Sequence, residues 1–350
     1  MRFELRERPS AALTLAAPLC AVAAALLVAG GLIAVAGADP LRAYGLILRG
    51  AFGSRLGITE TLTRATPLIL TGLAAAVAFR ARLWNIGAEG QLYLGALAVV
   101  TLGLVPGVAD APAPVAVLAC LAAGAVAGAA LLLVPVALKL RFGVDEVVTT
   151  LLLNFVVLLF VSMMIEGPLR DPLAFGWPQS VPVPEAATLP QLVERARLHA
   201  GLVIAVLLAV VVSWVQARTV FGIQARAAGL NARAAAFAGV PLGRTLTLVA
   251  CLSGGLAGLA GAVEVMGVRG QVTTDLSPGF GYAGIVVAML AGLRPLGVIA
   301  AALFSAVMFV GADSMSRAMG IPSYIADVTV ALSLLAMLVA VFAAQYRVRR

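Results

Sequence analysis

The chain is a succession of long apolar runs separated by short polar clusters. Its first run extends from Ala11 to about Gly37, behind Arg2, Arg6 and Arg8. That is longer than the apolar region of a secretory signal, roughly 7 to 15 residues, and long enough to cross a bilayer core, which takes about 20. Further runs follow at about Thr66 to Phe79, Gly87 to Val105, Pro114 to Ala137, Val147 to Ile165, Gly201 to Val215, Thr245 to Gly267, Tyr282 to Leu293, Leu296 to Gly311 and Val328 to Ala344. The pattern predicts an all-α integral membrane protein of about ten transmembrane helices, some of them short or broken. Basic residues collect in the loops that this topology places on one side, among them Arg80, Arg82, Lys139, Arg141, Arg218, Arg244, Arg294 and the terminal Arg347, Arg349 and Arg350. Both termini are therefore expected in the cytoplasm.

Two runs are short for simple spans. Thr66 to Phe79 gives roughly 21 Å of helix and Tyr282 to Leu293 roughly 18 Å, against a hydrocarbon core of about 30 Å. Each precedes a restart punctuated by glycine, Asn85-Ile-Gly-Ala-Glu-Gly90 and Gly292-Leu-Arg-Pro-Leu-Gly297. Non-helical backbone at membrane depth must be sheltered by neighbouring helices, and interrupted segments point to a path for a polar solute. The stretch Phe79-Arg-Ala-Arg-Leu-Trp-Asn-Ile-Gly-Ala-Glu-Gly-Gln-Leu-Tyr-Leu-Gly95 places charged and amide side chains where the chain re-enters lipid, and such residues are costly there unless they serve a function.

Two loops stand out. Residues 166–200 form the longest polar region and carry Pro168, Pro172, Pro178, Pro182, Pro184 and Pro190, which argue against a continuous helix. They are expected outside the cell as a lid or docking surface. Residues 218–244 fall on the cytoplasmic side, where Asn231 is placed to cap a short helix from Ala232 to about Ala238 that Gly239 and Pro241 would end. By itself the segment reads as a plain surface loop, in which Arg226 and Arg233 could meet acidic groups of a soluble protein. No large soluble domain is visible, so residues 1–350 read as one transmembrane domain.

Composition agrees. The chain is 62% hydrophobic and 11% charged, with mean hydropathy +1.06, far from the usual balance of a soluble domain. The net charge of +8 sits on arginines scattered at the ends of apolar runs, so it reads as membrane anchoring rather than a nucleic-acid face. Cys20, Cys120 and Cys251 are widely spaced in apolar surroundings and give neither a disulfide framework nor a metal site. His199, the single histidine, offers no metal centre or catalytic triad. The single lysine, Lys139, has no glycine-rich loop before it, so the chain is not a P-loop ATPase.

Three stretches carry a resemblance. Phe79 to Gln91, the segment Gly143-Val-Asp-Glu-Val-Val-Thr-Thr-Leu-Leu-Leu-Asn154, and the loop Ala-Ala-Gly-Leu-Asn-Ala-Arg-Ala-Ala-Ala-Phe-Ala-Gly-Val at 227–240 resemble the permease subunits of bacterial ABC importers of the ribose and simple-sugar branched family, most closely the nucleoside-type members served by basic-membrane-protein lipoproteins. The similarity runs from about Leu62 to Arg317. It implies a multi-pass subunit of the bacterial cytoplasmic (inner) membrane that imports nucleosides or simple sugars by alternating access. It also implies a second related permease, with a heterodimer expected, a cytoplasmic ATPase that binds the ATP, and an extracytoplasmic binding lipoprotein; this chain would hold no cofactor or metal. The ATPase-coupling loop would be 218–244, with Gly229 and Asn231 at the family's positions and Arg226 and Arg233 beside them. Ala225-Arg-Ala-Ala-Gly229 departs from the acidic signature found in many ABC permeases, since no acid stands there.

Within that frame Glu89 is a candidate to bond a sugar hydroxyl, to pair with Arg80 or Arg82, or to cap the helix start at Gly87. Asn85 and Gln91 are candidates to read a polar solute, and Asn85 equally an N-cap. Asp145 and Glu146 sit near Lys139 and Arg141 as solvated or paired charges, or else as a gating or ATPase contact. Asn154 lies two turns inside its span and calls for a helix–helix hydrogen bond or a place on the path. Glu264 is the deepest acid, a candidate on the path or a group that snorkels or pairs with Arg269. Phe280 and Tyr282 are candidates to stack a nucleobase, or belt aromatics. Gly254, Gly258 and Gly261 read as a close-packing seam. The rival reading is an ion-coupled secondary transporter of a small polar solute, with Glu264 as the coupling acid. A membrane-embedded enzyme fits less well, because no paired carboxylates, His cluster or nucleophile motif is present.

Overall fold

A computed structural model describes residues 39–320 without a break, together with 2–5, parts of 27–37 and 324–339, and 346–349. The expected spans from Ala11 and from Val328 lie largely outside the described residues, as does Cys20. The chain divides into two compact units, Met1–Arg64 with Leu303–Arg350, and Ala65–Ala302.

In chain order the helices are α1 Pro40–Phe52, α2 Arg55–Arg80, α3 Ala88–Gly103, α4 Pro106–Ala109, α5 Ala113–Phe142, α6 Glu146–Glu166, α7 Gly201–Arg218, α8 Val220–Leu230, α9 Ala232–Phe237, α10 Leu242–Glu264, α11 Phe280–Leu290 and α12 Pro295–Met319. Strands β1 Arg2–Leu5 and β2 Tyr346–Arg349 pair as an antiparallel ribbon. Among the described residues six stretches are long and apolar enough to cross a membrane: α2, α5, α6, α7, α10 with the turn after it, and α12. Together they make a multi-pass helical membrane protein.

In the first unit, Asp39 caps α1 by accepting from the Leu41 N–H at 2.9 Å, and Pro40 occupies the first helical position. The apolar pattern of the sequence does not mark this helix. One side of it buries Ala43, Ile47 and Ala51, while Leu41, Leu48 and Phe52 stay exposed. Gly311 of α12 lies so close to Ile47 that a side chain would overlap it.

Helix α2 corrects the expected short segment at Thr66 to Phe79, since it starts eleven residues earlier and runs for 26. The polar stretch ahead of Thr66 has the look of a loop, but its hydroxyls bond within the helix: Thr59 Oγ1 to the Arg55 carbonyl, Thr61 to Gly57 and Thr63 to Thr59, at 2.8–3.1 Å. Arg64 pairs with Asp313 at 2.7 Å. With its polar groups satisfied in this way, the helix spans about 39 Å.

In the second unit, α3, α5 and α10 meet along a glycine seam. A Cβ added at Gly258 would overlap the Gly124 carbonyl, one at Gly261 the Leu92 carbonyl, and one at Gly254 the Gly128 carbonyl. The seam expected from Gly254, Gly258 and Gly261 is therefore backbone-to-backbone packing. By contrast α5, α6 and α7 leave apolar side chains outside, among them Leu118, Val126, Leu159 and Leu207. The second expected short segment is borne out, since α11 has 11 residues.

The loop 166–200 holds one short 3₁₀ turn, Glu185–Ala187, and lies along the end of α10. There α10 widens into a π-turn, Val265–Arg269, closed by left-handed Gly270. Ser180 N–H donates to the Val272 carbonyl, Val183 to Gly270 and Leu189 to Met266, at 2.8–3.0 Å.

Candidate functional site

The polar side chains singled out in the sequence gather around the break between α2 and α3. Helix α2 ends at Arg80, and Leu83 N–H reaches back to the Ala78 carbonyl at 3.0 Å. Arg82 has φ +53°, the left-handed region that a branched or long side chain rarely adopts. The chain then runs without helix to Gly87 before α3 begins.

Asn85 and Gln91 face each other and exchange two hydrogen bonds, Asn85 Nδ2 to Gln91 Oε1 at 2.9 Å and Gln91 Nε2 to Asn85 Oδ1 at 2.8 Å. Asn85 also donates to Ser253 Oγ of α10 at 3.0 Å, and Ser253 donates to the Ala74 carbonyl of α2 at 2.8 Å. Asn85 Oδ1 accepts from Gly87 N–H at 3.1 Å, just ahead of α3. All three side chains are buried, as groups with this many partners can be without penalty.

Helix α6 holds the same break with a polar stripe at four-residue spacing, which puts successive groups on one face. Glu146 Oε1 accepts from Trp84 N–H at 3.4 Å and pairs with Lys139. Thr150 Oγ1 accepts from Ile86 N–H at 3.3 Å. Asn154 accepts from Gly90 N–H at 2.8 Å and donates to the Ile86 carbonyl at 2.9 Å and to Tyr282 Oη at 3.1 Å. Of the expectations for Asn154, the hydrogen bond to another helix is what the geometry contains. Sequence reasoning misses Thr150 and Ser253, although the Glu146-Thr150-Asn154 spacing is there to be read.

Glu89 caps a helix other than its own. Its Oε2 accepts from Gly281 N–H in the first turn of α11 at 2.6 Å, and among the described residues it makes no ion pair with Arg80 or Arg82. Gly281 lies so near the Glu89 backbone that a side chain would overlap it. The starts of α3 and α11 thus meet, and one carboxylate sits where both helix dipoles are positive. Thr71 Oγ1 of α2 bonds the Phe280 carbonyl at 2.9 Å, Phe280 itself is buried, and Tyr282 is partly exposed. Glu264 is buried as the last residue of α10.

In the loop 218–244, Asn231 caps α9 as expected, accepting from Ala234 N–H at 3.1 Å. Arg226, Leu230, Asn231, Arg233 and Phe237 are exposed, with Phe237 essentially free of cover at 97% exposure. Gly229 faces the other way, buried against the Arg80 carbonyl and Ala81.

His199, in the loop before α7, is buried with its ring against Gly201 and Gly267. Nδ1 accepts from Gly201 N–H at 3.1 Å, which leaves the proton on Nε2. Burial lowers its pKa to about 4, so the neutral ring is the folded form. Among the described residues no cluster of three or more His, Cys, Asp or Glu could hold a metal ion.

Comparison with known proteins matches residues 57–342 to the family described as branched-chain amino acid transport system / permease component. The glucose ABC transporter permease protein of Haloferax volcanii is 36% identical, covering 99% of this chain and 93% of that protein. Two guanosine ABC transporter permease proteins of Bacillus subtilis also match, one 34% identical over 91% of each chain, the other 27% identical over 71% of this chain and 78% of that protein. No solved structure matches the chain.

Proposed function

The chain is a permease of the ABC transporter class, a member of the branched-chain amino acid transport system permease family, and from that premise we propose that it carries nucleosides or simple sugars into a bacterial cell across the cytoplasmic membrane. The observation that carries this reading is the similarity over nearly the whole chain to permeases whose names give guanosine and glucose as their solutes. ATP is bound and split by a separate cytoplasmic ATPase, this chain holds no cofactor, and an extracytoplasmic lipoprotein delivers the solute. A second, related permease completes the path; the two distinct guanosine permease proteins matched in one organism support a heterodimer. Both termini face the cytoplasm.

In this reading the facing starts of α3 and α11 border the path. Asn85, Glu89, Gln91 and Asn154 shape it by holding those starts, Tyr282 presents its ring to the solute, and Phe280 and Glu264 belong to the same route. Arg226, Asn231 and Arg233, with the exposed Leu230 and Phe237, meet the ATPase, an apolar centre with a basic rim that suits an acidic-edged cleft.

The test is recovery of the tagged chain from native membranes in mild detergent, beside the Arg226→Ala/Arg233→Ala double variant. An ATPase and a second permease should come down with the wild type and be depleted from the variant. A folded chain recovered alone that still moves guanosine or glucose in liposomes under an ion gradient would replace the reading with a secondary transporter.

A further inference from the structure

We infer that the ATPase-facing loop acts on the break between α2 and α3 through one backbone contact, Gly229 of α8 bearing on the Arg80 carbonyl and Ala81. The inference rests on the proposed function and names where the stroke of the ATPase enters the membrane part. Helices α8 and α9 have two faces. One is exposed and carries Leu230, Arg233 and Phe237; the other is buried, and at Gly229 it is so close that an added Cβ would overlap the Arg80 carbonyl and lie 3.2 Å from Ala81 Cα. Two backbones in contact transmit a displacement without the slack of side-chain rotamers. Arg80 is tied from the other side as well, since its Nη1 donates to Gln216 Oε1 at the end of α7 at 2.6 Å.

The segment just beyond Arg80 is held by side chains rather than by a helix. Residues 81–87 lack the helical ladder, Arg82 is held at positive φ, and the N–H groups of Trp84, Ile86 and Gly87 donate to side chains of Glu146, Thr150 and Asn85. Side-chain acceptors can be exchanged one at a time, whereas a helix resists as a unit. The segment leads into Asn85, Glu89 and Gln91, whose bonds position α10 and the start of α11. A push at Ala81 therefore reaches both helix starts that border the path, α3 directly and α11 through the Glu89–Gly281 bond. Gly229 and Arg80 are positioning residues in this scheme and touch no solute.

Trp84 lies inside the segment, partly exposed, with its ring 4.8 Å from that of Phe79 at the end of α2. It can report on the movement as the part of the complex's tryptophan quenching that is lost in a Trp84→Phe complex. The experiment uses the complete transporter, purified with its partner subunits and reconstituted in liposomes, with radiolabelled guanosine and glucose as the solutes tried. Magnesium-ATP should change the iodide quenching of Trp84. In Gly229→Ala the ATPase should copurify in equal amount and ATP hydrolysis should continue, but solute taken up per ATP should fall about tenfold and the Trp84 response should shrink with it. Gln216→Leu, which removes the acceptor of Arg80 without adding bulk at the contact, should lower the same ratio and serves if Gly229→Ala does not assemble.

A wild-type complex that transports with ATP while Trp84 stays silent overturns the inference. So does either assembled variant that keeps full uptake per ATP. If the wild-type chain brings down no ATPase and ATP has no effect on uptake, the proposed function itself falls and takes this inference with it.

Discussion

Glu89 shows how one side chain can hold two elements. Its carboxylate receives the Gly281 N–H at 2.6 Å at the point where α3 and α11 begin, so removing it orphans a buried donor. Glu89→Ala should lower stability by about 1–3 kcal/mol, read as a fall in the thermal midpoint of the purified protein, and Glu89→Asp should recover only part of that because the shorter arm does not reach. Asn154 makes three bonds, one of them to Tyr282, so Asn154→Ala should cost about 1–3 kcal/mol and Tyr282→Phe about 1. In the double variant the two costs should add to less than their sum, which a double-mutant cycle measures. His199 makes stability depend on pH. Its folded value of about 4 lies below the ordinary 6.5, so between those values the unfolded chain binds a proton that the folded chain does not. Stability is full above pH 6.5 and drains away as pH falls toward 4, by on the order of 3 kcal/mol. His199→Gln should flatten that slope in thermal melts taken across this range.

The lesson at the scale of elements lies in α2 and the glycine seam. Sequence reasoning cuts α2 short because Thr59, Thr61, Thr63 and Arg64 look like the polar end of a loop. Whether a hydroxyl ends a helix or bonds back to its carbonyls is decided by its surroundings, and here Arg64 has Asp313 as partner. The short α11 was legible, since its run of apolar residues ends at glycines on both sides, and so was α9 with its Asn231 cap. The seam was legible as spacing, Gly254, Gly258 and Gly261, but not its opposite wall, because Gly124, Gly128 and Leu92 lie on two other helices. Gly258→Val should cost about 1–3 kcal/mol or more by forcing α10 off α5, seen as loss of folded protein in detergent gel filtration. The same substitution at Gly243, where an added Cβ meets nothing, should leave the yield unchanged.

Among the described residues apolar side chains lie outside the packed helices as well as within them, and polar ones are buried between them. Amides and acids such as Asn85, Gln91, Asn154 and Glu89 are inside, and leucines of α5, α6 and α7 are outside, as a hydrocarbon solvent requires. The Arg226→Ala/Arg233→Ala variant belongs to this scale, since it should change the set of subunits that assembles with the chain while leaving its own melting temperature in place. Much of the architecture could be derived from the sequence alone: the membrane class, the long helices α5, α6, α7, α10 and α12, the break near Asn85, and the family carried by Asn-Ile-Gly-Ala-Glu-Gly-Gln. Those properties are local or additive, because apolar length, glycine punctuation and residue order are written along the chain. Only the tertiary structure decided which partner each polar group takes. Glu89 caps α11 rather than α3, Asn85 closes on Gln91 and Ser253, and Gly229 turns inward to Arg80 while its neighbours turn outward. Most of these contacts join residues far apart in the chain, and a buried hydrogen bond is specified by the position of both ends, of which the sequence states only one at a time.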